Sequence, residues 1–154
     1  MELGVLTVPF GNQPREEAFE YLSGIGVDCV ELGVGGYPGE DHVDRGALLD
    51  NEAAQADLLE LLDDHDLSIS ALATHNNPLH PDDDRAAEAD RELREAIELA
   101  AQLDVNTVTC FSGLPAGGPN DEVPNWITAP WPVEHADAHD YQWTVAENYW
   151  TELA

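Results

Sequence analysis

The sequence predicts an α/β fold in which short parallel strands alternate with helices. Three observations predict it along the 154-residue chain. Short apolar segments with almost no charge recur at intervals, amphipathic segments with helical spacing lie between them, and polar segments rich in glycine or proline follow them. This alternation is typical of consecutive βαβ units with right-handed crossovers. Strands of this composition are usually buried on both faces, as parallel strands are.

The elements can be assigned in chain order from their periodicity and their boundary residues. Pro9 ends the first strand, Pro14 fits the start of the first helix, and Gly24 and Gly26 fit its end. The predicted strands are residues 2–8, 28–33, 67–74 and 105–111, and the predicted helices are residues 14–25, 52–65 and 84–103.

The pattern changes after the fourth strand. Residues 112–140 contain five prolines and few periodic apolar side chains, so we expect a long loop there. Residues 141–154 turn helical again and are expected to begin a fourth helix. We therefore expect one domain over residues 1–154, with four strands and three helices in residues 1–111.

Two architectures fit alternating strands and helices. A doubly wound sheet with a dinucleotide site carries a G-x-G-x-x-G turn after its first strand, and residues 10–14 contain none. A (β/α)8 TIM barrel instead places its functional loops after the strand ends, where this chain has its polar and aromatic segments. A complete barrel needs about 250 residues, so we expect a truncated half barrel with four parallel strands. It would be a truncated reading frame, an isolated domain, or a half that pairs with another half.

The charge balance restricts the ionic environment in which the protein works and the kinds of partner that it can bind. Asp and Glu number 32 against five basic residues, all arginine, for a formal net charge of -27. The apolar periodicity disfavours a disordered chain. The even spread of carboxylates disfavours a protein that binds basic partners, because such proteins usually concentrate their acidic residues in one block. The remaining interpretation is a halophilic protein, because molar salt screens such self-repulsion. With no basic patch, signal peptide or long apolar run, we expect a cytoplasmic protein with neither a nucleic acid nor a membrane as partner, and buried free thiols at Cys29 and Cys110.

A few residues are candidates for chemistry. Glu31 is a carboxylate inside an apolar strand, a costly position unless it is paired or functional. His75, Asn77 and His80 follow the third strand and could recognise hydroxyl groups or a metal, or could shape a turn. Trp126 lies beside prolines in the long loop, where it would stack on a sugar ring or plug the loop.

Other aromatic and imidazole residues are expected to be structural. We expect Trp143 and Trp150 in a core or interface, and His135 and His139 in a solvated acidic stretch.

Several of these segments resemble the xylose isomerase-like sugar phosphate isomerase/epimerase barrels. The resemblance rests on residues 3–10, 30–39, 69–72, 75–81, 111–113 and 124–126. It implies a TIM barrel that binds a divalent cation (Mn, Co, Mg or Zn) and moves a proton through an enediolate of a sugar or sugar phosphate.

The family's metal ligands come from the second half of the barrel, so the resemblance places no metal ligand and no catalytic base in this chain. It implies that Glu31, His75, Asn77 and His80 line the pocket or bind substrate. Two alternatives to an isomerase or epimerase remain open: a non-catalytic half barrel that self-associates or pairs with a missing C-terminal half, and a fragment without function.

Overall fold

A computed structural model of the chain describes residues 1–129 and 131–154. It contains four strands, five α-helices and one short 3-10 turn at Val8–Phe10. The strands are β1 (Gly4–Leu6), β2 (Cys29–Gly36), β3 (Ser68–His75) and β4 (Val108–Cys110). The helices are α1 (Arg15–Gly24), α2 (Arg45–Leu48), α3 (Glu52–Asp64), α4 (Asp83–Gln102) and α5 (His135–Leu153).

The chain divides into two compact units. The first contains Met1–His75 with Glu92–Cys110, and the second contains Asn76–Arg91 with Phe111–Ala154. All four strands belong to the first unit, and the long segment after β4 belongs to the second.

The strands of the first unit form one parallel sheet in the order β1-β2-β3-β4, which confirms the predicted fold class. Alternate residues point to opposite faces of such a sheet. One face carries large apolar side chains that join the core with α1, α3 and the later turns of α4; examples are Leu32, Val34 and Leu72. The other face carries Glu31 and small residues, and it holds the candidate site described below.

Helical spacing in the sequence predicts that α1 buries Ala18, Tyr21, Leu22 and Ile25, and that α4 buries a stripe that includes Ile97. The structure agrees with these stripes in outline, with local differences. Ala18 and Leu22 of α1 are buried as expected, whereas Tyr21 and Ile25 are exposed and Phe19 fills the core instead. Ile97 of α4 is also exposed, and Leu99 takes its place. The face that each helix buries is therefore rotated slightly from the predicted stripe.

The boundaries of several elements differ from the predictions. The edge strands β1 and β4 have three residues each, fewer than predicted, whereas β2 extends to Gly36. The one-turn helix α2 lies in a segment predicted as loop, and the side chain of Asp44 caps it by accepting a bond from the Ala47 amide. Helix α5 begins at His135, so the stretch expected to be solvated loop forms its first turn.

Both cysteines are free thiols. Cys29 is buried as expected, and Cys110 on β4 is half-buried. Burial raises the pKa of the Cys110 thiol. No helix among residues 1–129 and 131–154 is long and apolar enough to cross a membrane.

In the second unit, the segment after β4 is held by two polar side chains. The Asp121 carboxylate accepts hydrogen bonds from the backbone amides of Gly117 (2.9 Å) and Val123 (3.0 Å) and from the Asn125 side chain (3.0 Å). Gln142 of α5 is fully buried; it accepts from the Ile127 amide and donates to both oxygens of Asn125. The segment is therefore an ordered loop anchored on α5.

The anchoring of Asp121 predicts a pH dependence. Hydrogen bonds from the Gly117 and Val123 amides lower the pKa of this carboxyl below the ordinary value for aspartate. A lowered pKa in the folded state means that the stabilisation is fully present above the ordinary value and is lost as the pH falls through the folded pKa. We expect the NMR signals of both amides to titrate together in that acidic range. In the variant Asp121→Asn this shared step should vanish, and its persistence would rule out Asp121 as the titrating group.

Candidate functional site

The candidate site is the face of the sheet opposite the main core. Glu31 is in register with Leu6 of β1 and with Ala71 of β3. Two residues further along the strands, Gly33, Ala73 and Thr109 form the next row of residues in register. Residues in register on parallel strands share a face, so a carboxylate and a hydroxyl lie over a floor of glycine and alanine.

Small residues on this face allow the turn after β2 to approach the sheet closely, since a β-carbon at Gly33 would lie 2.8 Å from the Pro38 carbonyl oxygen. Gly33 has no side chain, and Ala71 and Ala73 each carry one methyl group; none of the three belongs to the main apolar core. Barrel interiors are usually filled by bulky branched side chains. This face departs from that rule, although Ala71 and Ala73 are only 5% and 0% exposed.

A hydrogen-bonded chain links three polar side chains across β2, β3 and β4. The Thr109 hydroxyl donates to Glu31 Oε1 over 2.5 Å, and Thr109 Oγ1 lies 3.4 Å from His75 Nε2. Because threonine has one hydroxyl proton, and Glu31 receives it, the contact with His75 is a hydrogen bond only when Nε2 carries a proton. Thr109 therefore lies between the carboxylate of Glu31 and the imidazole of His75.

The turn after β2 is attached to the end of β3 at the same place. Gly36 is in register with His75, and the Tyr37 amide donates to the His75 carbonyl over 2.9 Å. Gly35 adopts a φ of 149°, a conformation that side chains disfavour. The backbone of His75 is thus fixed by β2, while the Tyr37 side chain is exposed.

The structure places the predicted residues Glu31 and His75 next to each other, on either side of Thr109, which was not predicted. The fourth strand was predicted, yet its register against β3 was unknown. A hydroxyl residue between two apolar neighbours, Val108 and Cys110, was the available signal.

Asn77, predicted to bind substrate, lies in the second unit and is engaged in local hydrogen bonds. Its Oδ1 accepts from the amides of Leu79 (3.2 Å) and Leu114 (2.7 Å), and its Nδ2 donates to the Leu114 carbonyl (2.9 Å). Both polar atoms of the amide therefore hold the loop after β3 to the segment after β4.

His80 lies in the same unit and shapes the turn before α4. Its Nδ1 accepts from the Asp82 amide over 2.9 Å, so the neutral ring carries its proton on Nε2. The ring also lines an open depression of about 770 Å³ whose other walls are residues 81–85 and residues 122–124.

Trp126, the predicted stacking residue, packs against Trp143 of α5 in an edge-to-face arrangement with ring centroids 5.4 Å apart. The Trp143 indole donates to His139 Nε2 over 2.9 Å. His135 and His139 share one face of α5, as their four-residue spacing requires. Half-buried Trp126 is therefore part of an aromatic cluster of the second unit.

The donor atoms of the described residues do not form a metal site of their own. Over residues 1–129 and 131–154, no group of three His, Cys, Asp or Glu side chains lies close enough to hold a metal ion. Glu31 and His75 supply two donors and are joined through Thr109. A stable cation site would need ligands beyond this pair.

Comparisons with known proteins agree on one architecture. A model of the family described as "Xylose isomerase-like TIM barrel" matches residues 19–148. The Bacillus subtilis (strain 168) protein YfiH, itself described as uncharacterized, is 34% identical over 157 residues; the match covers 99% of this chain and 50% of YfiH.

Among solved structures, the fold is similar to that of the probable 3-DHS dehydratase AsbF from Bacillus anthracis, which is involved in petrobactin synthesis. The TM-score is 0.55 at 15% identity, and the match covers 98% of this chain and 49% of AsbF. The chain thus spans about half the length of both proteins. With its four parallel strands and this family match, the chain belongs to the xylose isomerase-like TIM barrel family.

Proposed function

We propose that this chain supplies the substrate-orienting half of a sugar or sugar phosphate isomerase or epimerase. The observation that carries the proposal is the Glu31–Thr109–His75 chain over a floor of glycine and alanine. Carboxylate, hydroxyl and imidazole groups each bind hydroxyl groups of a polyol.

Each residue has a distinct role in this proposal. Glu31 Oε1 is engaged by Thr109, so the second carboxylate oxygen is oriented to accept a hydrogen bond from a substrate hydroxyl. His75 is held by its backbone and by Thr109, which presents its ring in one orientation. Both residues would act by positioning the substrate. Reacting groups that are held in alignment react faster than groups that meet at random.

A divalent cation would polarise the carbonyl and hydroxyl oxygens of the substrate. The described residues do not fit that cation by themselves, so the proposed chemistry of this chain is binding and orientation. Proton transfer is assigned to groups outside it.

A binding experiment on the imidazole signals tests the proposal. We expect D-fructose or D-fructose 6-phosphate, titrated in molar KCl, to shift the NMR signals of His75 and to leave those of His65 unchanged. Thr109→Val should weaken binding by about tenfold or more, because a charged group loses a hydrogen bond worth about 1.5–3 kcal/mol. Thr109→Ser keeps the hydroxyl and is the matched control. Equal shifts in the valine and serine variants would contradict the proposed role of Thr109, and no shift with either sugar would contradict the substrate class.

We also propose that the protein works in a salt-rich cytoplasm. The net charge of -27, without a single lysine, would repel itself at low ionic strength. Charges farther apart than the Debye length are screened, and that length falls from about 30 Å at 0.01 M salt to about 3 Å at 1 M.

The salt proposal predicts that the thermal unfolding midpoint rises steeply from millimolar to molar KCl. Circular dichroism melts over that range measure it. Sucrose at matched water activity is the control, because it stabilises by exclusion without screening charge. A midpoint independent of salt would contradict the proposal.

A further inference from the structure

The turn after β2 lies on the same face of the sheet as the candidate site. The backbone carbonyls of Pro38 and Gly39 approach Gly33, which belongs to the floor of that site, too closely to admit a β-carbon there. The residue before them, Tyr37, donates its amide proton to the carbonyl of His75. Tyr37 therefore lies between the floor and the histidine that the proposed function assigns to the substrate.

Hydrogen bonds within the turn hold the backbone that carries Tyr37. The Gly35 amide donates to the Gly39 carbonyl, and the Gly39 amide donates to the Gly36 carbonyl, each over 3.1 Å. Gly36 adopts a φ of 61°, which a residue with a side chain disfavours. The backbone on either side of Tyr37 is thus fixed in one conformation.

The side chain of Tyr37 is free by comparison. It is 80% exposed. Among residues 1–129 and 131–154 it has no ring-to-ring contact, and its hydroxyl has no hydrogen-bond partner. A tyrosine ring supplies a large contact area and loses the freedom of only two torsion angles on binding, which makes such a ring effective in recognition.

The other aromatic residues of the first unit are already engaged. Phe19 is fully buried, and Phe10 and Tyr21 contact each other with ring centroids 5.8 Å apart. Trp126, the residue predicted to stack on a sugar, belongs to the aromatic cluster of the second unit. Within the first unit, Tyr37 is therefore the aromatic side chain with a ring face available to a ligand.

We propose that Tyr37 selects cyclic sugars by stacking its ring on the C–H face of a substrate held at Glu31 and His75. The inference rests on the proposed function and adds to it a contact with the carbon skeleton, because carboxylate, hydroxyl and imidazole groups recognise hydroxyl groups. The negative face of an aromatic ring attracts C–H groups, which a cyclic sugar presents as a flat patch. An acyclic polyol presents similar hydroxyl groups without that patch.

Selective labelling tests the contact directly. The chain is deuterated except at the rings of its four tyrosines and is titrated with D-fructose in molar KCl. Saturating the tyrosine ring protons should transfer magnetisation to the sugar. Tyr37→Phe keeps the ring but carries deuterium there, so the transfer should vanish while the sugar still shifts the NMR signals of His75.

Affinities test the selection for a ring. Tyr37→Ala should weaken binding of D-fructose by about fivefold or more, the loss expected for an aromatic contact. Binding of acyclic D-sorbitol, which lacks the flat C–H patch, should change by about twofold or less. Tyr37→Phe should bind D-fructose nearly as well as the unchanged chain does.

The outcomes separate this inference from the proposed function. Tyr37 is excluded if D-fructose shifts the signals of His75 but receives no magnetisation, or receives as much in the phenylalanine variant. Equal losses of affinity for D-fructose and D-sorbitol in the alanine variant would overturn selection for a ring. If neither D-fructose nor D-fructose 6-phosphate shifts the signals of His75 in the unchanged chain, the proposed function itself fails, and this inference fails with it.

Discussion

Replacing Arg45 with alanine is expected to lower the free energy of unfolding of the first unit by about 3–5 kcal/mol, the range for breaking a buried ion pair. Arg45 is 7% exposed, and its guanidinium contacts Glu40 and Glu95 over 2.8 Å each. It also donates to the carbonyl of Val34, at the end of β2. The loss should lie near the lower end of the range, because both glutamates keep some contact with water.

Urea unfolding in molar KCl, followed by circular dichroism, measures this effect. Arg15→Ala is the matched control, because Arg15 also pairs with a glutamate, Glu16, but at the surface. Exposed pairs contribute about 0–1 kcal/mol. Similar losses of unfolding free energy in the two variants would show that burial does not strengthen the contribution of the Arg45 ion pairs.

Gly33→Ala is expected to have the second largest effect, about 1–3 kcal/mol as for other overpacked sites. A β-carbon at this position would lie 2.8 Å from the Pro38 carbonyl oxygen and 2.9 Å from that of Gly39. Both atoms belong to the backbone of the turn after β2, which cannot yield by rotating a side chain. The turn would have to move, and with it the Tyr37 amide that bonds to the backbone of His75.

Two measurements separate this effect from a general loss of stability. Urea unfolding should show the destabilisation, and the imidazole NMR signals of His75 should shift in the folded variant. Gly24→Ala is the control, because nothing lies within 4 Å of its β-carbon position at the end of α1. That variant should be neutral or more stable by up to about 1 kcal/mol. A Gly33 variant as stable as the Gly24 variant would refute the tight fit of the turn.

The sequence predicted the central strands and the long helices because their patterns are long and strongly periodic. The edge strands β1 and β4 were predicted to be too long. Each pairs with a neighbouring strand on one side, and that pairing extends over fewer residues than the apolar composition suggests. The helix α2 was not predicted because it is a single turn in a glycine-rich segment. Its stability depends on the cap at Asp44 and on the ion pairs of the buried Arg45. No local pattern reports such contacts between distant residues.

The candidate site was predictable in part for the same reason. Glu31 and His75 were identifiable because a charged residue inside an apolar strand, and a histidine just after one, are unusual in their local setting. Thr109 is ordinary in its local setting, and its role depends on the register between β3 and β4. Asn77 and His80 were recognisable as a polar cluster. Their hydrogen-bond partners could not be predicted, because a partner such as Leu114 lies far along the chain from Asn77.

The floor of Gly33, Ala71 and Ala73 sets a one-sided limit on how this protein can be redesigned. Side chains of one carbon or none cannot be trimmed further, so substitution at these three positions can only add volume to a face that is already buried. At Gly33 the added methyl group would meet the turn after β2. A redesign that enlarges this face must therefore change the surrounding loops and leave the floor as it is.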